Sequence, residues 1–567
     1  MRSACLRMSF SEEIQQLLQP ENAIVTKLAV ASLGKFRAND AFQVKQMLDG
    51  RLRRGVIMIS KEQVIEVRKD LSSLYSALSN ERIPNDLFFR TINALDKKYL
   101  GNEYYDLSID GLICNIGIDY HDTTILTFAH NRLKKRLAES KNSKFQYDIS
   151  NCIASIADIE THQLKIELLL NNTKYIEARN GFANVEIDDN HSYECAITNS
   201  ANILEKYGRN YEAILLYDKA LHVNDKHGMA LGNKALAIDY YLRLLPNQPS
   251  NLVHKVVELF TAALQDKSII EFGGNMAVEA FSNRRADLLE YLKKIKYVEN
   301  TSIGEVKISS YHQFVIDSNL FLNYDFGYYY DKYSIKDNLF PSIIENIKEE
   351  KSENITFMSK RSEYVFQVFN QILETFTTSR YLFYKNVSIK SKHNDKLVCY
   401  IYTFDYSKHS YRYGELKQIF QSLYSCLDKI AHLVAVYFTH DSRNISKDIY
   451  FKWFLTSEYK EIVIQTNNWQ LLALNNLALD FEDGNQYNYL RVIRNRISHT
   501  YININDMYIN DNKKYANITE EIFITSIKEL FKIVKSAVLY SMLAIAQIKP
   551  EKDTLPLIAT LEREIFE

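Results

Sequence analysis

Residues 411–438 read YRYGELKQIFQSLYSCLDKIAHLVAVYF, and the spacing of their apolar side chains predicts one long amphipathic α-helix. The apolar positions recur every three or four residues, as expected when one face of a helix is buried. The predicted inward side chains are Leu416, Ile419, Phe420, Leu423, Leu427 and Ile430. A helix of this length needs partner helices to cover its apolar face, so the stretch favours an all-α fold.

Neighbouring segments show the same periodicity and predict the partner helices. They are residues 362–384 (SEYVFQVFNQILETFTTSRYLFY), 467–479 (NNWQLLALNNLAL), 488–501 (NYLRVIRNRISHTY) and 518–548 (ITEEIFITSIKELFKIVKSAVLYSMLAIAQI). A short strand-like segment, KLVCYIYTF, precedes the long helix. The chain of 567 residues has only 16 glycines and 7 prolines, which argues against a β-sandwich or barrel. We therefore predict an all-α protein.

The composition limits the classes of function. A net charge of -1 gives no overall attraction to nucleic acid, so any RNA binding must come from a local patch. The 39 tyrosines fit nucleotide bias in an AT-rich gene better than a function. The cysteines lack the paired spacing of zinc ligands, and we expect buried thiols in a reducing compartment. They are Cys5, Cys114, Cys152, Cys195, Cys399 and Cys426.

Targeting signals and cofactor motifs are absent from the sequence. The start, MRSACLRMSFSEEI, lacks the continuous apolar core of a signal peptide, and no apolar run is long enough for a membrane span. We expect a cytoplasmic protein with no membrane partner. No glycine-rich phosphate loop, metal triad or nucleophile elbow is present, so we expect no cofactor and no metal. A kinase, NTPase, zinc hydrolase or serine hydrolase is disfavoured.

The N-terminal half is also predicted to be helical. Residues 1–103 show helical periodicity, with Ser60 as a candidate helix cap, but they carry no readable function. Residues 201–241 (ANILEKYGRNYEAILLYDKALHVNDKHGMALGNKALAIDYY) resemble a tetratricopeptide repeat. Gly208, Ala213, Tyr217, Ala220 and Leu221 fall at its signature positions. The pairs one period of about 34 residues apart are Asn199 and Asn233, Ala201 and Ala235, and Leu204 and Ile238.

This resemblance predicts tetratricopeptide-like helical repeats over residues 104–300. Such repeats stack into a solenoid, whose concave surface suits a protein trigger or regulator. A helical spacer without a partner is the alternative. Residues 310–342 then predict an irregular, aromatic-rich bridge that packs against the following domain, although its rings would also permit base stacking.

The last predicted helix before residue 501 contains a candidate catalytic motif, RNRISHTY, from Arg494 to Tyr501. A histidine can move a proton near neutral pH, and an arginine can stabilise charge on a phosphate in the transition state. These are the groups needed for RNA cleavage without a metal. An arginine followed at this distance by a histidine occurs by chance about once in such a chain, so the surrounding sequence must decide.

Four blocks in a fixed order give that context. They are FNQILETFTTSRYLFY, SLYSCLDKIAHLV, NNWQLLALNNLALDFED and RVIRNRISHTYI. Together they resemble a HEPN domain, in the bacterial subfamily where HEPN follows tetratricopeptide-like helices. The resemblance covers about Ser309 to Ile548, and its third block is more polar than is usual for the family. It implies an N-terminal helical solenoid followed by a C-terminal HEPN helical bundle, within residues 301–567.

The resemblance also implies metal-independent endoribonuclease activity in a site shared by two HEPN domains. The family motif carries over to Arg494, Asn495 and His499 as catalytic residues. Asn495 and His499 share a helix face, whereas Arg494 lies roughly 140° from His499 around the helix, which favours a homodimer that joins them across protomers. His499 would be the general base or acid, Arg494 would clamp the phosphate, and Asn495 would orient the histidine or the backbone.

Further residues near the motif each have two alternative interpretations. Arg491, Arg496, Lys513 and Lys514 would form an RNA-binding surface, or simply a solvated helix and loop. Tyr501 resembles a tyrosine that a partner nucleotidyltransferase modifies with AMP in some HEPN toxins, or it is an ordinary packing residue. We expect an RNA-cleaving toxin or antiphage effector, gated by the N-terminal repeats. The alternative is a non-catalytic tetratricopeptide scaffold whose HEPN domain dimerises or binds RNA.

Overall fold

The computed structural model describes most of the chain. The described residues are 61–140, 142–162, 165–186, 190–245, 249–297, 308–324, 336–341, 344–346, 360–388, 398–401, 407–439, 448–505, 517–547 and 554–556. Three predicted features, Ser60 as a cap, Cys5 as a buried thiol and helices before residue 61, therefore lie outside the described residues.

Helices dominate the described part of the chain, which contains nineteen α-helices and four strands of three residues each. The helices are α1 (Lys61–Asn80), α2 (Asn85–Lys98), α3 (Glu103–Asp119), α4 (Thr123–Ser140), α5 (Ser143–Glu160), α6 (Ile166–Asn171), α7 (Lys174–Ala183), α8 (Asn190–Lys206), α9 (Asn210–Val223), α10 (Gly228–Leu244), α11 (Ser250–Ala263), α12 (Ile269–Lys294), α13 (Ser310–Asp317), α14 (Lys360–Ser388), α15 (Tyr411–Thr439), α16 (Ser457–Thr466), α17 (Trp469–Leu479), α18 (Asn488–His499) and α19 (Glu520–Ala546). The all-α prediction is confirmed.

The short strands form two small ladders. Strand β1 (Ile344–Asn346) pairs antiparallel with β4 (Thr554–Pro556), with Glu345 opposite Leu555. Strand β2 (Asn503–Asn505) pairs in parallel with β3 (Asn517–Thr519), with Ile504 opposite Ile518. A 3₁₀ helix spans Phe451–Leu455. No helix in these described segments has the length and apolar character needed to cross a lipid bilayer.

Helices α3 to α12, which we call the repeat region, pack largely against their neighbours in the chain. Contacts join α8 to α9, α9 to α10, α10 to α11 and α11 to α12. Small residues allow the close approach, because Ala201, Ala213, Ala220 and Ala235 are fully buried. Gly208 turns the chain between α8 and α9 with a φ of 74°. This helix–turn–helix order agrees with the repeat resemblance, which stays a prediction.

Helices α14 to α19, which we call the C-terminal bundle, include the long amphipathic helix that the sequence predicts at residues 411–438, here α15. Helix α15 packs against α14, α18 and α19. Its six predicted inward side chains, from Leu416 to Ile430, are each no more than 1% exposed. The amphipathic pattern therefore identified the buried face correctly.

Three local features of the structure differ from the predictions made from the sequence. The bridge predicted to be irregular begins with α13, which starts after Ser309 because the Ser309 hydroxyl accepts a hydrogen bond from the His312 N–H. The described part of KLVCYIYTF, residues 398–401, is irregular and not a strand. Cys399 is exposed, contrary to the prediction of buried thiols, whereas Cys114, Cys152, Cys195 and Cys426 are buried as predicted.

Candidate functional site

Helix α18 presents the candidate catalytic motif on its solvent side. Leu490 and Ile493 are fully buried and anchor one face of the helix against the bundle. Asn495 and His499 are exposed on the other side. The helix ends at His499, where Thr500 leaves helical geometry with φ −139° and ψ −118°. The polar motif residues therefore occupy the last two turns of a helix that is fixed by its apolar face.

Arg494 lies against the bundle and is half-buried. Its Nη1 donates to Asn495 Oδ1 over 3.1 Å, and its Cζ lies 5.5 Å from the centre of the Tyr424 ring. Burial raises the pKa of Tyr424 to about 12, so the phenol stays neutral and offers its ring face to the cation. The structure thus brings Arg494 and Asn495 together and restrains the guanidinium from one side.

Asp428 is a further charged group near this arginine. Burial raises the pKa of Asp428, whereas a hydrogen bond from the Phe451 N–H (2.8 Å) and the charge of Arg494 act in the opposite direction. The adjacent Lys429 has a different partner, since its Nζ donates to Thr375 Oγ1 over 3.1 Å. The sequence analysis missed Tyr424 and Asp428 as neighbours of Arg494, although their spacing of four residues places them on one helix face.

His499 stands apart from the arginine within one protomer. Its ring is exposed, and no hydrogen bond or ion pair joins it to another described residue. The adjacent Ser498 Oγ accepts a hydrogen bond from Gln421 Nε2 over 3.3 Å, which ties the last turn of the helix to α15. An exposed imidazole on a restrained backbone is accessible to a substrate or to a second protomer.

The proposed RNA-binding cations differ in their surroundings. Arg491 forms ion pairs with Asp483 (2.6 Å) and Glu482 (3.8 Å), so its charge is largely matched inside the protein. Arg496 is half-buried and has no ion pair with a described residue. Lys513 and Lys514 lie outside the described residues. Tyr501 is 51% exposed, two residues beyond His499.

A buried polar network joins the repeat region to the segment that precedes α18. Arg209 Nη1 donates to Asp480 Oδ2 (2.6 Å) and to Asn476 Oδ1 (2.8 Å), and Arg179 also forms an ion pair with Asp480. Burial alone would lower the pKa of Arg209, but Asp480 and Glu212 raise it well above its usual value, so the guanidinium stays charged. The polar residues of the third sequence block thus serve as an interface.

The loop between α17 and α18 is held by both parts of the protein. Asn180 of the repeat region donates through Nδ2 to Asn485 Oδ1 over 3.0 Å. The Tyr487 N–H donates to the Asp480 carbonyl over 2.7 Å, one residue before α18 begins. The repeat region therefore contacts the segment that leads directly into the motif helix.

A second cluster of polar side chains lies far along the chain from the motif, on α8. His191, Glu194 and Cys195 place potential ligand atoms within 4.8 Å of one another. This cluster lacks the paired cysteines that mark a zinc site in a sequence, because its residues have the spacing of one helix face. Among the described residues, a group of potential metal-ligand atoms therefore occurs in the repeat region, and none occurs at the motif.

Comparison with known proteins identifies the C-terminal part. A family model described as LA2681-like HEPN matches residues 356–547. No curated protein and no solved structure matches the chain. Residues 356–547 therefore form a HEPN domain, which contains α14 to α19 and the Arg494, Asn495 and His499 motif. The match begins at residue 356, after the repeat region, so the tetratricopeptide resemblance of that region stays a prediction.

Proposed function

We propose that this protein is a metal-independent endoribonuclease whose active site is formed by the HEPN domains of two protomers. The observation that carries the proposal is the exposed pair Asn495 and His499 beside a restrained Arg494 on the last turns of α18. An accessible imidazole, an amide and a fixed guanidinium are the groups that phosphodiester cleavage requires when no metal assists.

The chemistry follows from these groups. His499 removes the proton from a ribose 2′-hydroxyl, or donates one to the leaving 5′-oxygen, and general acid–base catalysis of this kind contributes about 10²–10⁴-fold in rate. Arg494 binds the phosphate and stabilises the negative charge that develops on its oxygens. Asn495 holds Arg494 through the 3.1 Å hydrogen bond to its Oδ1. The attack produces a 2′,3′-cyclic phosphate and a 5′-hydroxyl end.

A homodimer supplies the missing contact between Arg494 and His499. Within one protomer, Arg494 packs on Tyr424 while His499 faces solvent, and no described contact joins them. A symmetric pairing of two HEPN domains would place Arg494 of each protomer near His499 of its partner. This arrangement also explains why the motif is exposed on the surface of the bundle and not enclosed within it.

The repeat region would control the geometry of that dimer. It contacts the loop between α17 and α18 through Arg209, Arg179 and Asn180. A protein trigger that binds the repeat region and shifts it would move this loop, and with it the motif helix. A displacement of about 1 Å at the reacting groups can cost roughly 10²-fold in rate, so a small shift is sufficient for gating. Restraint of this kind suits a toxin or antiphage effector in the cytoplasm.

Purified protein and total RNA provide the test. His499→Ala should abolish cleavage and any growth inhibition on expression, and Arg494→Ala should lower cleavage by about 10²–10³-fold. His222→Ala and Arg90→Ala are matched controls, because both side chains are exposed in the N-terminal half of the chain. Thermal melting should show the same stability for the motif variants. Equal cleavage by wild type and His499→Ala would refute the catalytic assignment of His499. Absence of cleavage by the wild type would favour the second candidate, a scaffold whose HEPN domain only dimerises or binds RNA.

A further inference from the structure

The repeat region contains a polar cleft that the nuclease proposal does not use. Its volume is about 360 Å³, and it lies between helices α1, α3, α5, α8 and α10. Asparagine amides dominate its lining, including Asn151, Asn199, Asn202 and Asn233. Cys195 and His227 also line it, so a thiol and an imidazole face the same space. The cleft is large enough for a small polar molecule.

His191 lies between this thiol and the carboxylate of Glu194 in a series of close contacts. His191 Nδ1 lies 3.0 Å from Glu194 Oε1, and His191 Nε2 lies 3.5 Å from Cys195 Sγ. The carboxylate therefore fixes a proton on Nδ1 and aims Nε2 at the sulfur. This order of nucleophile, base and orienting carboxylate is the one that activates nucleophiles in proteins.

His227 approaches the same sulfur from the start of the next helix pair. Its Nδ1 accepts a hydrogen bond from the Ala230 N–H over 3.0 Å, as the N-cap of α10. The neutral ring therefore carries its proton on Nε2, which is available to donate to Cys195, and the two side chains are hydrogen-bonded. An N–H at that position supports a thiolate but cannot bind a metal ion through the same nitrogen.

The electrostatics agree with this geometry. Burial alone would raise the pKa of the Cys195 thiol, but the hydrogen bonds from His191 and His227 lower it. Burial alone would lower the pKa of His191, but Cys195 and Glu194 raise it to about 10. Tyr147 of α5 also faces the sulfur, and burial keeps that phenol neutral. Both shifts favour a thiolate at Cys195 beside a protonated His191.

We propose that Cys195 is a reactive thiolate that a small hydroperoxide, admitted through the cleft, oxidises to a sulfenic acid. The sulfur attacks the distal peroxide oxygen, so an S–O bond forms while the O–O bond breaks. The sulfur loses two electrons to the peroxide, and the leaving oxygen takes its proton from Nε2 of the His191 imidazolium. The products are Cys195 sulfenic acid, an alcohol or water, and a neutral His191.

A second cysteine of the same chain, Cys399, serves as an internal control for the reactivity of Cys195. Cys399 is exposed, whereas Cys195 is only 9% exposed, so exposure alone would make Cys399 react first. Reduced protein is treated at about pH 6 with hydrogen peroxide or tert-butyl hydroperoxide in the presence of dimedone, and modified peptides are quantified by mass spectrometry. We expect Cys195 to be trapped roughly tenfold faster than Cys399, because His191 and His227 stabilise the thiolate of Cys195, which is the form that attacks a peroxide.

Variants distinguish activation of the Cys195 thiol by its neighbours from mere access of peroxide to the sulfur. His191→Asn should remove most of the advantage of Cys195, and Glu194→Gln should reduce it, while His222→Asn on the neighbouring helix should leave it unchanged. Thermal melting checks that each variant is folded. Faster trapping of Cys399, alkylation of Cys195 by iodoacetamide without peroxide trapping, or full reactivity in His191→Asn would each overturn the proposal. Zinc that copurifies with the protein and blocks Cys195 would also overturn it.

Discussion

Arg209 and Asp480 form a buried ion pair, with Nη1 and Oδ2 2.6 Å apart, between the repeat region and the HEPN domain. The Arg209 side chain is 1% exposed and the Asp480 side chain is fully buried. Glu212 completes the network, since it binds Arg209 and accepts a hydrogen bond from Tyr540 of α19 over 2.9 Å. Buried charges are tolerated only when they are paired, so these parts of the chain are fitted to each other.

Removing one partner of this pair should uncouple the repeat region from the HEPN domain. Arg209→Ala leaves Asp480 with Arg179 alone and leaves Glu212 without its arginine, so we expect a loss of roughly 3–5 kcal/mol in unfolding free energy. Arg90→Ala, which breaks an exposed pair, should cost less than about 1 kcal/mol. Chemical denaturation measures both. A stability of Arg209→Ala equal to that of Arg90→Ala would contradict the structural role of the network.

The same variant tests the gating proposal when activity is measured. If the repeat region sets the position of α18, RNA cleavage by Arg209→Ala should change at temperatures where the protein remains folded. The direction reveals whether the repeats restrain or support the active arrangement. Unchanged cleavage in a folded Arg209→Ala protein would refute control through this interface, without affecting the assignment of His499.

Gly208 gives an independent test of the interface. A side chain there would meet the Trp469 carbonyl oxygen at 2.6 Å, and the backbone φ of 74° is unfavourable for other residues. Gly101 has a similar φ of 80°, but a side chain there would meet open space. Both alanine variants should lose roughly 1–2 kcal/mol of unfolding free energy from backbone strain. Only Gly208→Ala should lose more, because its side chain would displace α17. Equal melting temperatures for the two would contradict the close approach.

Cleavage should persist in EDTA. No cluster of metal ligands accompanies Arg494 and His499 within the described part of the chain, and the proposed chemistry uses only side chains. The products should carry 2′,3′-cyclic phosphate and 5′-hydroxyl ends, which end-specific ligation or mass spectrometry detects. Activity that is lost in chelator and restored by magnesium would require a different mechanism.

Mixed dimers should recover activity. When an Arg494→Ala chain exchanges with a His499→Ala chain, one site of each mixed dimer receives both wild-type groups if they act across protomers. Half of the dimers are mixed after random exchange, so roughly one quarter of the wild-type rate should return. No recovery would indicate that both groups act within one protomer. A sedimentation experiment that shows a fully active monomer would refute the dimer itself.

Tyr501 is accessible to modification, since it is 51% exposed beyond the end of α18. Addition of AMP would place a bulky anion two residues from His499 and should suppress RNA binding. Intact-mass measurement of the protein from its native host, under conditions where it is not toxic, tests this expectation. An unmodified mass would exclude this form of control, whereas Tyr501→Phe should leave cleavage in vitro unchanged.

The sequence by itself determined the helical architecture and the motif. Apolar periodicity identified the buried face of α15 because one face of an amphipathic helix must be covered whatever its partner is. The position of Arg494, Asn495 and His499 on one helix also followed from local spacing. The order of four blocks predicted the HEPN domain, which the family match over residues 356–547 confirms.

Only the tertiary structure decided which distant residues meet. The sequence showed that the third HEPN block is unusually polar. It could not show that Asn476 and Asp480 of this block accept hydrogen bonds from Arg209, which lies more than 260 residues earlier in the chain. It also could not show that the fold places Asp428 near Arg494. Local periodicity reports which face of a helix is buried. The partner of a buried charge depends on how helices from distant parts of the sequence pack, because the charge must be neutralised by a side chain that the fold places next to it.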